Sequence, residues 1–258
     1  MENLNPETEH HTYKISAVSY LNSKPFLYGL ENTPIKNEII LTQDSPAQCA
    51  QKLSSNEVDI GLIPVAIIPT LKNPKIIAPY CIGADGAVST VCLFSEVPIE
   101  QIETIYLDYQ SRTSVQLVQI LMEEYWGRKV HYANAFPGYE GQIQASIAGV
   151  IIGDRAIYLK ENFKYVYDLA EIWKLHTGMP FVFAAWVSCN DLDKDFLKRF
   201  SDALQFGLEH RTELYDEYRH LNNEKFSVET YLSKNIQFEL TEDKRKALNY
   251  FLQKIDNN

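Results

Sequence analysis

Four short polar stretches interrupt an otherwise apolar chain, and each carries residues able to bind or orient a small ligand. LDYQSRTS, residues 107–114, ends an apolar run on Asp108 and offers Ser111, Thr113 and Ser114 just before the amphipathic series Val115, Leu117, Val118, Leu121, Met122. Hydroxyls and free N–H groups at a helix start bind carboxylate or phosphate. The same residues also make an ordinary cap, with Ser111 or Thr113 satisfying the helix's own N–H groups. Arg112 pairs either with an anion or with an acidic neighbour. SYLNSKPF, residues 19–26, puts Ser19 and Asn22 where a strand should end, the side of an open α/β sheet that holds ligands. Asn, Ser and Pro25 equally describe a turn leading into a helix. In GAVSTVCLFS, residues 86–95, alternation along a strand turns Ser89 away from the core. IIGDRA closes a strand on Gly153 and Asp154, which either cap the next helix or line a ligand wall.

Chemistry of several other kinds lacks its residues. There is no G-x-G-x-x-G, P-loop, G-x-S-x-G or kinase signature. The four cysteines, Cys49, Cys81, Cys92 and Cys189, lack C-x-x-C spacing and sit in apolar surroundings, which reads as core filling. The six histidines include no H-E-x-x-H pair. No metal and no cofactor are expected. What remains is chemistry that depends on positioning and hydrogen-bond donors more than on a strong protein base.

The elements that must position these groups alternate. YKISAV, EIILT and VDIGLI read as strands, with a helix opening on Ser45 as N-cap and Pro46 in its first turn, and a short helix from Val65 to Leu71. GAVSTVCLFS, ETIYLD, KVHYAN and AGVIIGD read as further strands, with a helix over SRTSVQLVQILMEEYW. Such alternation predicts an α/β fold with parallel strands. GAVSTVCLFS and PFVFAAWVS run between the halves of the pattern and are expected to be two crossover hinge strands with a ligand cleft between two lobes. HTGMPF just before the second is either a plain turn or part of a wall of the cleft. Phe196, Phe200, Leu204 and Leu208 recur every four residues, and a last helix opens at Thr241 with Ala247, Leu248, Phe251, Leu252 and Ile255 on one face.

A chain of 258 residues with 45% hydrophobic content can build two real cores. Its 24 basic and 34 acidic residues leave a net charge of −10, which disfavours nucleic acid or an anionic membrane as partner. No apolar run reaches the length of a membrane span, and the polar, acidic first dozen residues do not resemble a signal segment. A cytoplasmic location is therefore expected.

VSYLNSKPFLYGL, VDIGLIPVAIIP, CIGADGAVSTVCLFS, LDYQSRTS, IIGDRAIYL and HTGMPFVFAAW together resemble, in order from about Lys14 to Trp186, the chorismate dehydratase family of the futalosine route to menaquinone. The resemblance implies a two-lobed fold of the class II periplasmic-binding-protein type, with lobe 1 formed by residues 14–93 and 186–258, lobe 2 by 94–185, and a flexible tail over 1–13. It implies an enzyme that removes water from chorismate without a cofactor, giving 3-[(1-carboxyvinyl)oxy]benzoate. Carried onto this chain, it makes Asn22 and Ser89 the catalytic groups nearest the reacting ring. Ser19 in the cleft wall, Ser111, Thr113 and Ser114 at a carboxylate, and Gly153 and Asp154 on the far wall would contact substrate. The proton acceptor is either the substrate's own enolpyruvyl carboxylate or Asp154. The related 1,4-dihydroxy-6-naphthoate synthase shares the fold, but its opening motif differs from SYLNSKP. A non-catalytic solute-binding protein on the same scaffold is the rival from another class.

Overall fold

The computed structural model describes residues 12–256, so most of the tail expected over 1–13 lies outside the described residues. Its last residue, Tyr13, instead opens the first strand and stacks on Phe196 at 3.7 Å. In chain order the elements are β1 (Tyr13–Val18), α1 (Lys24–Asn32), β2 (Ile39–Asp44), α2 (Pro46–Ser54), β3 (Ile60–Pro64), β4 (Lys75–Ala84) and β5 (Val91–Ser95). There follow β6 (Thr104–Leu107), α3 (Thr113–Ile120), β7 (His131–Asn134), β8 (Ile147–Ile152), α4 (Asp154–Leu159), β9 (Tyr165–Asp168) and α5 (Leu169–Thr177). The chain closes with β10 (Phe181–Ser188), α6 (Lys194–Glu209), α7 (Glu213–Glu217), α8 (Val228–Thr230), β11 (Gln237–Glu239) and α9 (Glu242–Asp256).

Two sheets result, in the orders β11-β4-β10-β3-β1-β2 and β7-β6-β8-β5-β9. In each, three parallel strands, β2-β1-β3 or β7-β6-β8, are followed by an antiparallel one, β10 or β5, that arrives from the other half of the chain. Both sheets are thus mixed rather than parallel. A strand arriving through the crossover starts at the end where the parallel strands finish, so it must run against them. The expected lobe limits at 93/94 and 185/186 fall inside β5 and β10. The chain changes sheets instead through residues 85–90 and 178–180.

Local rules account for much of this. Ser45 caps α2 in a reciprocal box, its Oγ accepting from the Gln48 N–H at 3.4 Å while Gln48 Oε1 accepts from the Ser45 N–H at 3.0 Å. The four-residue period of α6 buries Phe196, Phe200 and Leu204 completely. That helix lies on α1 at backbone contact, for a Cβ on Gly29 would stand 1.9 Å from the Ala203 carbonyl oxygen and one on Gly207 1.9 Å from that of Pro25. The contact seats Phe200 against Trp186 of β10 at 5.1 Å, and Phe26 of α1 meets the same indole at 5.8 Å. Cys49, Cys81 and Cys92 fill buried positions. No helix among the described residues is long and apolar enough to cross a membrane.

Candidate active site

The two sheets face one another across a cavity of about 50 Å³ whose polar lining is Tyr20, Asn22, Thr90, Ser111, Thr113 and Ser114. No charged side chain is among its lining residues. Helix starts supply much of the wall: Asn22 just before α1, Pro46 in the first turn of α2, Thr113 and Ser114 opening α3, and Gly153 before α4. Their N-terminal ends favour negative charge without presenting a formal cation.

Asn22 lies in the turn Leu21–Ser23, which Ser23 pins by donating from its hydroxyl to the Val18 carbonyl. Its Oδ1 is buried with no partner among the described residues, and the Tyr231 phenol is a neighbour of the amide. The Tyr231 phenol in turn lies 2.7 Å from Thr90 Oγ1. Burial, ahead of every other influence, raises the Tyr231 pKa far above that of an ordinary tyrosine, so the phenol keeps its proton. Thr90 is joined to the opposite wall by its carbonyl, which accepts from the Gly153 N–H at 2.9 Å.

Gly153 has φ +65° and ψ −151°, and a Cβ there would stand 2.7 Å from the Tyr20 ring. Only glycine lets β8 end flat against that ring. Tyr20 reaches across to Gln110 through its hydroxyl, and Leu21 N–H donates to Asp154 Oδ1 at 3.0 Å. Burial raises the Asp154 carboxyl above its usual pKa, partly offset by that donor.

At the start of α3, Ser111 Oγ accepts from the Ser114 N–H at 3.1 Å, which leaves its own proton free to be donated. Thr113 lines the cavity, yet its hydroxyl is engaged: it donates to the Phe183 carbonyl at 3.0 Å and accepts from the Ala66 N–H at 3.2 Å. Arg112 pairs with no acidic side chain among the described residues. It donates to the carbonyls of Tyr109 and Ser111 at 3.2 and 2.8 Å.

Behind this wall Asp108 is fully enclosed and accepts from Arg155 at 2.5 Å, from the Gln110 N–H at 2.8 Å, from the Tyr139 hydroxyl at 3.1 Å and from the Ile152 N–H at 3.3 Å. Arg155 also pairs with Glu140 at 2.8 Å. Burial opposes the Arg155 charge, but Asp108 outweighs it and holds the guanidinium protonated.

The structure thus brings Asn22, Ser111, Thr113, Ser114 and Gly153 to one cavity and leaves three candidates outside its lining. Ser19 is exposed, its N–H donating to the Asp44 carbonyl at 3.0 Å. Asp154 serves the turn at Leu21. Ser89 is the main correction. Its segment is no strand: β5 begins only at Val91, and Ser89 takes φ +73°, outside the extended range. The side chain is thereby turned to the far side, where Ser89 Oγ accepts from Lys160 Nζ at 2.8 Å and its N–H donates to Asp168 at 2.6 Å. Its neighbour Thr90 reaches the cavity in its place. Thr90 is the cavity residue that sequence reasoning missed, together with its hydrogen-bond partner Tyr231 behind the lining. Tyr231 is 141 positions from its partner, and no local pattern marks it.

A family model described as menaquinone biosynthesis matches residues 13–257 of the chain. The chain belongs to that family. A curated relative, the chorismate dehydratase of Thermus thermophilus, is 27% identical over 237 residues, 81% of this chain and 84% of the relative. Among solved structures, protein AF1704 of Archaeoglobus fulgidus superposes with a TM-score of 0.76 at 15% identity, over 97% of this chain and 98% of that one. The Candida albicans CA3427 product, described as having the generic periplasmic binding protein fold, gives 0.64 at 14% identity over 93% of this chain and 90% of its own. This member of the menaquinone-biosynthesis family therefore has the α/β periplasmic-binding-protein fold.

Proposed function

We propose that the protein is a chorismate dehydratase, converting chorismate to 3-[(1-carboxyvinyl)oxy]benzoate and water on the futalosine route to menaquinone. The observation that carries this reading is the buried, unpartnered Oδ1 of Asn22, in a cavity otherwise walled by hydroxyls and helix starts. Chorismate at neutral pH is a dianion whose carboxylate and ether oxygens only accept hydrogen bonds. Its one donor is the C4 hydroxyl, the group that must leave. An acceptor buried without a partner is costly unless a ligand donor meets it, and Asn22 Oδ1 matches that hydroxyl. The family match to menaquinone biosynthesis is consistent with this reading, and the Thermus thermophilus relative, a chorismate dehydratase, supports the same substrate.

In this reading the hydroxyls of Ser111 and Ser114 and the N-terminal end of α3 receive the ring carboxylate. The C3–H bond breaks, and its electron pair spreads through the diene toward that carboxylate. Donors there stabilise the charge, one preorganised donor contributing roughly 3 kcal/mol. The C4–O bond then breaks, hydroxide departs with the proton taken from C3, and the ring becomes aromatic. The acceptor of that proton is the substrate's enolpyruvyl carboxylate. In support, the cavity lining offers no carboxylate, imidazole or amine, and Asp154 is engaged by the Leu21 N–H. An Asp154→Asn variant can still accept that N–H and keeps turnover within about tenfold; complete loss with intact chorismate binding would make Asp154 the base.

Incubating the protein with chorismate and following products by chromatography and mass spectrometry tests the reading. A new aromatic species lighter by one water is expected. Unchanged chorismate with clear binding would place the chain with the solute binders whose fold it shares.

A further inference from the structure

Asp154 lies outside the cavity lining, yet its carboxylate supplies what the turn carrying Asn22 cannot supply for itself. The helical run that begins at Leu21 and continues into α1 leaves its first N–H groups without an internal partner. A short polar side chain just ahead is the usual cap, but Tyr20 holds that position and makes no side-chain cap. The cap comes instead from 133 positions along the chain: the Leu21 N–H donates to Asp154 Oδ1 at 3.0 Å and to Oδ2 at 3.3 Å. A carboxylate suits the place, because the start of a helix favours negative charge.

This cap spans the cavity. Leu21 follows β1 of one sheet, and Asp154 follows β8 of the other. Leu21 is completely buried, so water does not compete for its N–H. Ser23 ties the turn to its own strand through the Val18 carbonyl, while Tyr20 and Leu21 tie it to the opposite wall at Gln110 and Asp154. Asn22 sits between these ties, so its open Oδ1 is placed relative to Ser111 and Ser114 by bonds made on their own side of the cavity. Resting on the dehydratase reading, we propose that Asp154 is a positioning residue that caps the Asn22 turn from the opposite wall. It thereby sets the distance between the amide that meets the C4 hydroxyl and the hydroxyls that receive the ring carboxylate.

A double-mutant cycle on kcat/KM for chorismate, run on the full chain, tests this. Asp154→Ala removes the acceptor and is expected to cost about 30-fold, within the range for a misplaced group at the site. Asp154→Asn keeps an acceptor for the Leu21 N–H and recovers most of that loss. If Asp154 acts through Asn22, Asp154→Ala combined with Asn22→Leu is no worse than the roughly 100-fold loss of Asn22→Leu alone. Independent structural roles would multiply to about 3,000-fold. That result overturns the proposal, as does an alanine variant at the parent rate. An asparagine variant as poor as the alanine one would also overturn it, because the charge and not the cap would then be needed. Should the alanine variant fail to fold, Asp154→Ser withdraws the oxygen from Leu21 while keeping a polar first turn in α4, and the same cycle is run with it. No conversion of chorismate by the unsubstituted protein would overturn the dehydratase reading itself and the proposal with it.

Discussion

The two walls of the cavity handle buried polar groups in opposite ways. On the side of α3 and β8, Asp108 is met by four donors, Arg155 by two carboxylates, and Thr113 by a carbonyl and an N–H. On the side of α1 and α8, Tyr231 and Thr90 bond to each other, and the Asn22 amide oxygen has no partner among the described residues. The first wall pairs its charged groups internally, although among the described residues Arg155 Nε has no partner and the Ser111 hydroxyl keeps a proton to donate. The second leaves an acceptor, Asn22 Oδ1, open, so a donor on the ligand is to be sought there. Partners decide which buried group is functional, since charge and polarity alone would have selected Asp108 and Arg155.

The largest effect that would break this contrast is on stability. Asp108→Ala leaves the Arg155 guanidinium with Glu140 alone and strips the Gln110 and Ile152 N–H groups of their acceptor, while the Tyr139 hydroxyl keeps the Val150 carbonyl. A loss of about 3–5 kcal/mol in a denaturant titration is expected, the cost of removing one member of a buried ion pair. If the variant were nearly as stable as the parent, these internal pairs would not be the scaffold of that wall. Asn22→Leu should do the reverse. It removes the amide at similar volume, lowers kcat/KM for chorismate by about 100-fold, and changes stability by only about 1 kcal/mol. A large stability loss there would make Asn22 scaffold too.

Gly153 lies where the walls meet, and a side chain there costs on both counts, φ and the Tyr20 ring. Gly153→Ala is expected to lose about 1–3 kcal/mol of stability and to weaken ligand binding, because Tyr20 must move. An alanine variant with unchanged melting and affinity would show that the ring yields freely.

Asp44 gives a smaller effect, with a defined dependence on pH. Burial works against its charge, but Lys52 Nζ at 2.6 Å and the hydroxyls of Ser16 and Thr42, both at 2.8 Å, outweigh it and lower its pKa. Because the folded value lies below the unfolded one, the stabilisation is fully present above the ordinary aspartate range near pH 3.8. It is lost as pH falls through the depressed value. Asp44→Asn should cost about 1 kcal/mol at neutral pH and flatten the acid limb of the stability curve. An unchanged acid limb would remove Asp44 from the account.

What could be read ahead of the structure was what depends on neighbours in the chain. The capping box at Ser45 and Gln48 spans one helical turn, and the burial of Phe196, Phe200 and Leu204 follows from a period of four. Ser111, Thr113 and Ser114 belong to a strand-to-helix junction, so their arrival at the cavity follows from the local order of elements. β4 escaped as a full strand although it has ten residues, since Pro79 interrupts it and its partners β10 and β11 are distant. The bond between Thr90 and Tyr231 is beyond any window on the chain. The family resemblance supplied the segment that enters the cavity but not the residue within it.

The smallest expected effect sharpens the comparison most, because it concerns two adjacent hydroxyls. Thr90 faces the cavity and Tyr231; Ser89, with φ +73°, faces Lys160 and Asp168 on the opposite side of the same crossover. If geometry governs, Ser89→Ala keeps its backbone bond to Asp168, loses only a half-exposed contact with Lys160, and alters turnover by less than about threefold. Thr90→Val, one residue along, should reduce it by about tenfold or more. Were the order reversed, the left-handed turn at Ser89 would have to unwind in the working enzyme, and β5 would begin earlier, bringing Ser89 to the substrate as the alternating pattern of this segment implies. Steady-state rates of the two variants under identical conditions therefore decide which of two neighbouring hydroxyls belongs to the reacting wall.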